Sequence, residues 1–91
     1  MTAPDPGRRY SVIVTKRAKK DLAALDRKTA RRVVDALLAL ETTPRPPGCK
    51  KLTGREAYRV RIGDYRAIYT VEDDLLVVEV IRVGHRRDVY R

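Results

Sequence analysis

The sequence predicts an α+β domain: an N-terminal strand, a helical hairpin, then a three-stranded antiparallel meander, with the helices packed on one face of the sheet. Three observations predict it. Apolar residues recur at offsets of three and four between residues 16 and 41, then alternate from residue 57 onward. Thr15 and Asp26 stand where each of two helices would begin, and both residue types cap helix N-termini well. Gly63-Asp64 separates two alternating runs by two residues with glycine first, which is the pattern of a type II′ hairpin.

Each element follows in order. Residues 1–8 read as a flexible basic arm, because Pro4, Pro6 and Gly7 block regular structure there. Residues 9–91 then form a single domain, the natural outcome for a chain of 91 residues. Tyr10 to Val14 (YSVIV) is rich in β-branched residues and reads as the first strand. A first helix over about 16–25 puts Ala18, Leu22 and Leu25 on one side. A second, over about 27–41, carries Ala30, Val33, Val34, Leu37 and Leu38 as its apolar stripe. The prolines and glycines of TTPRPPGCKKLTG, residues 42–54, make a long loop, and loops of that length are often functional or mobile. AYRVRI (57–62), YRAIYTV (65–71) and LLVVEVIRV (75–83) are the meander strands, with Glu72, Asp73 and Asp74 at the second turn. The helices must cover one face of this sheet, since otherwise neither layer buries its apolar side.

Composition narrows the function. The net charge of +9 favours polyanions, nucleic acid first, although an acidic membrane surface or an acidic protein also fits a positive field. The single cysteine, Cys49, excludes an internal disulfide and any zinc site built on several cysteines, and suits a reducing cytoplasm. MTAPDPGRRY lacks the apolar core of a signal peptide, and no apolar run reaches eighteen residues, so neither export nor a membrane span is expected.

The first hairpin gives the sharpest expectation. A turn at Gly63-Asp64 pairs Ile62 with Tyr65, Arg61 with Arg66, Val60 with Ala67 and Arg59 with Ile68. Arg59, Arg61 and Arg66 then share one face, while Tyr58, Val60 and Ile62 take the face under the helices. Like charges directly opposite destabilise a sheet, so this conflict points to a use. After the last strand, Gly84 lets the chain turn and bring His85 or Arg86 over the sheet edge; Arg82, Arg87 and Tyr90 stand nearby. Arg45, Lys50 and Lys51 in the loop can also meet phosphate or be ordinary surface charge. Arginines grip phosphate through two bonds and stabilise building negative charge. Tyrosine and histidine stack on bases. A protein that aligns RNA's 2′-hydroxyl with the leaving oxygen can cleave without a metal, and no carboxylate cluster stands where a two-metal nuclease would need one. The expected site therefore holds no metal and no cofactor.

The segment YRVRIGDYRAIYTVEDDLLVVEVIRVGHRRDVY resembles the C-terminal half of the RelE family of toxin–antitoxin mRNA interferases, within the RelE/ParE superfamily. The order of strand, hairpin and meander extends that resemblance over roughly residues 9–91. It implies a RelE-like fold and a ribosome-dependent endoribonuclease that cuts mRNA in the A site of the 70S ribosome through 2′-hydroxyl attack, leaving a 2′,3′-cyclic phosphate. It implies a cognate antitoxin as partner, operator DNA met only through the antitoxin complex, no membrane, and a cytoplasmic location. Matched position by position, it assigns Arg61, Arg66, Arg86, Tyr90 and His85 to catalysis, and Arg59 to phosphate placement. The basic tail and loop add Arg82, Arg87, Lys50 and Lys51 as candidate RNA contacts outside that match. The best-known members carry lysine where this chain has Arg59 and Arg61. Arginine stays protonated and accepts no proton, so His85 and Tyr90 are the candidates for acid–base work. Two other readings share these features: a ParE-like DNA gyrase inhibitor on the same fold, and a non-catalytic RNA-binding module.

Overall fold

A computed structural model describes residues 9–52 and 56–85, so the arm expected over 1–8 lies outside the described residues. The elements are β1 (Ser11–Val14), α1 (Lys16–Ala23), α2 (Arg27–Leu38), a 3-10 turn (Ala39–Glu41), β2 (Lys50–Lys51), β3 (Ala57–Ile62), β4 (Tyr65–Glu72) and β5 (Val77–His85). They form one mixed sheet in the order β1-β5-β4-β3-β2. β1 runs parallel to β5, and the other neighbours are antiparallel. The α+β class and the meander are as the sequence predicts. Two elements differ: the expected loop contains the short edge strand β2, and the last strand begins at Val77 and runs on to His85. Leu75 and Leu76 belong to the preceding turn, where Leu76 takes φ 54°. No helix among the described residues is long and apolar enough to cross a membrane.

Both helices start at the residues the sequence marks. The Thr15 hydroxyl accepts from the Ala18 N–H at 3.2 Å, and the Asp26 carboxylate accepts from the Thr29 N–H at 3.1 Å. Hydrogen bonding from Thr29 holds the Asp26 carboxyl below its ordinary pKa. The first helix stops at Ala23, and the second tightens into the 3-10 turn at Ala39. Neither helix has an acid in its first turn. Lys16, Arg17, Arg27 and Lys28 stand there instead, and cations at that end oppose the macrodipole by roughly 0.3–1 kcal/mol each. Lys16/Lys20, Arg27/Arg31 and Lys28/Arg32 are like-charged pairs four residues apart, each costing about 0.2–0.5 kcal/mol.

Packing offsets these costs. Ala18, Val33, Leu37 and Leu40 meet Ala67, Tyr69, Val78, Val80 and Val83 in one cluster, all at most 2% exposed. Each large apolar side chain buried this way contributes about 1.5–3 kcal/mol. α1 sits beyond the end of β1, against β5. There Thr15 donates its N–H to the Val80 carbonyl at 3.0 Å and its hydroxyl to the Ile81 carbonyl at 3.2 Å. Asp21 continues the edge: one carboxylate oxygen accepts from the Val83 N–H at 2.9 Å and from Arg82 Nε at 3.0 Å.

The proline-rich loop is pinned. Arg45 donates two bonds to Asp73, at 3.1 and 2.8 Å, and a third to the Tyr58 hydroxyl at 3.0 Å. Those acceptors raise the pKa of its guanidinium. Tyr10 donates to the same Asp73 at 2.8 Å. Tyr69, stacked 5.9 Å from Tyr58, donates its hydroxyl to the Pro44 carbonyl at 2.8 Å. Burial pushes the Tyr69 phenol well above its ordinary pKa, and the neighbouring Cys49 adds to the shift. Because the folded-state value is raised, the stabilisation from neutral Tyr69 is complete below the unfolded value near pH ~10 and falls as pH rises past it. We expect Tyr69→Phe to cost about 1 kcal/mol at pH 7, and the gap from wild type to close above pH ~10. Urea midpoints at pH 7 and at pH 11 check this; a gap of constant size would contradict it.

Candidate nucleic-acid interface

The β3–β4 hairpin positions the first cations. Gly63 has φ +60°, and Leu76 is the only non-glycine with positive φ among the described residues, so the Gly63-Asp64 turn has the II′ sense. The register pairs Ile62 with Tyr65, Arg61 with Arg66, Val60 with Ala67 and Arg59 with Ile68, as the sequence predicts. Tyr58, Val60, Ile62 and Tyr65 pack against the main core under the helices. Arg59, Arg61 and Arg66 therefore lie on the other face. Arg61 is exposed, while Arg59 and Arg66 are half-buried.

β2 widens this face. Lys50 pairs directly with Arg59 and shares its side of the sheet; Lys51 pairs with Tyr58, and its ammonium stands 3.5 Å from Glu56. Between the arginines and the far end, Ala57 and Ile68 are buried with Leu52 packed on them, an apolar floor on the cationic side. Glu79, opposite Thr70, gives the other end of the face an acid.

β5 corrects two expectations. The chain does not turn at Gly84: that residue pairs with Arg66, and the strand continues to His85, which pairs with Tyr65. The register slips between Ile68 and Tyr69, with Ile68 opposite Arg82 and Tyr69 opposite Val80, so Ile81 is an extra residue. In a regular strand His85 would share the side of Glu79. The bulge reverses the alternation and puts Val83 and His85 on the helix side. The His85 ring meets Tyr65 edge-on at 5.7 Å, so the structure does not bring it to the arginine face. Arg82 does fall on the arginine side by register, but its Nε is bound to Asp21 and its side chain is only 25% exposed. Its guanidinium is thereby tied to α1. Arg86, Arg87 and Tyr90 lie outside the described residues.

One residue was not singled out from the sequence. Arg32 of α2 lies against the hairpin tip, 3.4 Å from the place a Cβ on Gly63 would occupy. With Arg61 it lines a groove of about 390 Å³ between α2 and β3, whose apolar walls include Leu40, Pro46, Val60 and Ile62. The available signal was its place on the polar side of α2, next to Arg31 and four residues after Lys28; contact with a turn about thirty residues on is not visible in periodicity.

The arrangement can hold a phosphate between opposed guanidinium groups and lay a single strand over a small apolar floor. Known proteins share the fold and the sequence. The family described as ParE toxin of type II toxin–antitoxin system, parDE, matches residues 12–90. Toxin RelG of Mycobacterium tuberculosis is 32% identical over 85 residues, spanning 90% of this chain and 97% of that protein. The crystal structure of the toxin–antitoxin complex RelBE2 from Mycobacterium tuberculosis superposes with a TM-score of 0.80 at 30% identity, covering 92% of this chain and 99% of its counterpart. The archaeal RelE–RelB complex from Pyrococcus horikoshii gives 0.77 at 32% identity, covering 87% and 97%. Matching the family over nearly its whole length, the chain belongs to the ParE toxin family of the RelE/ParE superfamily and is a toxin of the type II toxin–antitoxin class.

Proposed function

We propose that this toxin is a ribosome-dependent endoribonuclease that cuts mRNA in the A site of the 70S ribosome. The observation that carries the reading is the direct pairing of Arg61 with Arg66, beside Arg59 and Lys50, on a face that no described helix covers. Opposed arginines cost the sheet about 0.2–1 kcal/mol, and a phosphodiester between them would turn that repulsion into binding. In the reaction the RNA's own 2′-oxygen attacks phosphorus and the bond to the 5′-oxygen breaks. A 2′,3′-cyclic phosphate and a 5′-hydroxyl result, with one proton leaving the 2′-hydroxyl and one reaching the departing oxygen.

Arg61 and Arg66 clamp the scissile phosphate, and Arg59 with Lys50 aligns the strand. Arg86 stabilises charge in the transition state, and Arg87 adds a backbone contact. We give the proton transfers to Tyr90 in preference to His85, whose ring is engaged with Tyr65 on the opposite face. The expected result is that His85→Gln retains cleavage within about threefold and keeps its pH profile, whereas Tyr90→Phe loses about a hundredfold or more. Single-turnover rates on programmed ribosomes from pH 6 to 9 check both; a profile flattened by His85→Gln would return the task to the histidine. The RelBE2 and RelE–RelB complexes support a cognate antitoxin as the neutralising partner. In this reading operator DNA is met only through the antitoxin complex, and the ribosomal target puts the toxin at work in the cytoplasm.

The direct test is to express the chain in a translation extract and map new 5′ ends on the message, with and without ribosomes. Cuts that need ribosomes support the reading, and intact messages reject it. The description of the matching family as ParE favours a second reading, inhibition of DNA gyrase. A supercoiling assay separates the two, since only the second predicts gyrase inhibition with messages intact.

A further inference from the structure

Much of the positive charge lies on the helices, and all of it there except Arg32 stands away from the proposed cleavage face. The hairpin from Thr15 to Leu38 carries eight cations and three acids, a net +5 of the chain's +9. Two of those acids are largely committed: Asp21 gives one oxygen to β5 and the other to Arg17 at 3.6 Å, and Asp26 caps α2. Lys16, Lys19 and Lys20 of α1 and Arg27, Lys28, Arg31 and Arg32 of α2 are all exposed, while Ala18, Val33 and Leu37 face the core. Several of these cations stand where helix physics disfavours them, in both first turns and in three like-charged pairs four residues apart. Packing against the sheet carries this cost and Arg17 pairs with Asp21, yet the crowding of the other cations remains, and an external polyanion would relieve it.

We propose that the outer face of the α1–α2 hairpin is a second RNA-binding surface, which grips the phosphate backbone of folded RNA in the ribosome while the opposite sheet face takes the message. Folded RNA suits this surface better than an acidic peptide. Four of the eight exposed cations are lysines, which meet phosphates as point charges without a fixed geometry. The exposed apolar residues of α2, Val34 and Leu38, lie toward its C-terminal end, beyond the cations, so the charged patch lacks apolar anchors at its centre. The proposal rests on the ribosome reading for the identity of the RNA, but not on cleavage.

The test uses the full chain with Lys19→Gln, Lys20→Gln, Lys28→Gln and Arg31→Gln together, none of them a cap residue or part of the cleavage face. Glutamine is a good helix former, so the fold should persist and the melting temperature stay level or rise as repulsion is removed. Binding is measured to vacant 70S ribosomes across 50–200 mM salt. We expect at least about a tenfold loss of affinity at 100 mM, and a plot of log K against log salt about three units shallower. A charge-keeping version, Lys19→Arg, Lys20→Arg, Lys28→Arg and Arg31→Lys, should bind like wild type. Unchanged ribosome affinity in the glutamine variant overturns the proposal, even if wild type cleaves messages normally. Helix-dependent binding with messages left whole would instead keep the proposal and reject the nuclease. Two further outcomes overturn it: a matching loss of affinity for the antitoxin, or a loss confined to duplex DNA.

Discussion

Arg61→Ala is expected to lower the rate of message cleavage on programmed ribosomes by about a hundredfold or more, the loss typical when one preorganised donor to a building negative charge is removed. Stability moves the other way. Arg61 is exposed and stands opposite Arg66, so removing it relieves like-charge repulsion and leaves the melting temperature level or slightly raised. Arg66→Ala should lose activity comparably but also lose packing, because that arginine is half-buried between Arg61 and Gly84. Arg61→Lys separates charge from geometry: a lysine keeps the charge and forfeits the planar two-bond grip, so it should recover only part of the lost rate. Single-turnover cleavage and a thermal melt on the same preparations decide the matter. An Arg61→Ala enzyme that cleaves within threefold of wild type removes the clamp from the mechanism.

Asp21→Ala has the largest expected effect on folding. It strips the Val83 N–H of its acceptor and leaves the Arg82 guanidinium without the oxygen that holds it, at a carboxylate only 14% exposed. Breaking a fully buried pair costs about 3–5 kcal/mol; with Arg82 partly in water we expect roughly 2–3 kcal/mol. For a domain of this size that is a fall in melting temperature on the order of 10–20 °C. Asp21→Asn keeps an oxygen for the Val83 N–H and should recover about half. If both substitutions melt within a few degrees of wild type, Asp21 does not join α1 to the edge of β5.

The legible parts of this fold were those set by local chemistry. Thr15, Asp26 and Gly63-Asp64 each act through neighbours within three or four residues, so their caps, their turn and the opposition of Arg61 to Arg66 could be read directly. The parts that escaped depend on contacts between distant segments. β2 is two residues long and exists because Lys50 and Lys51 find β3 as a neighbour; no alternation can announce a strand that short. The bulge at Ile81 leaves an unbroken apolar pattern in β5 while reversing the side on which every later residue falls. That reversal takes His85 away from the arginines. Arg82 and Arg45 looked like spare cations until their acids, 61 and 28 residues distant, came into contact. The loop read as functional or mobile is tethered at Pro44 and Arg45 for the same reason.

If the cationic sheet face makes the message cut itself, the 2′-hydroxyl beside the cut is indispensable. A single 2′-deoxynucleotide placed on the 5′ side of the mapped cut, in an otherwise ordinary mRNA held in the ribosomal A site, tests it most directly. The all-RNA message should yield a 2′,3′-cyclic phosphate and a 5′-hydroxyl, and the substituted message should stay whole at that position. Cleavage of the deoxy-substituted message at the wild-type rate would contradict it.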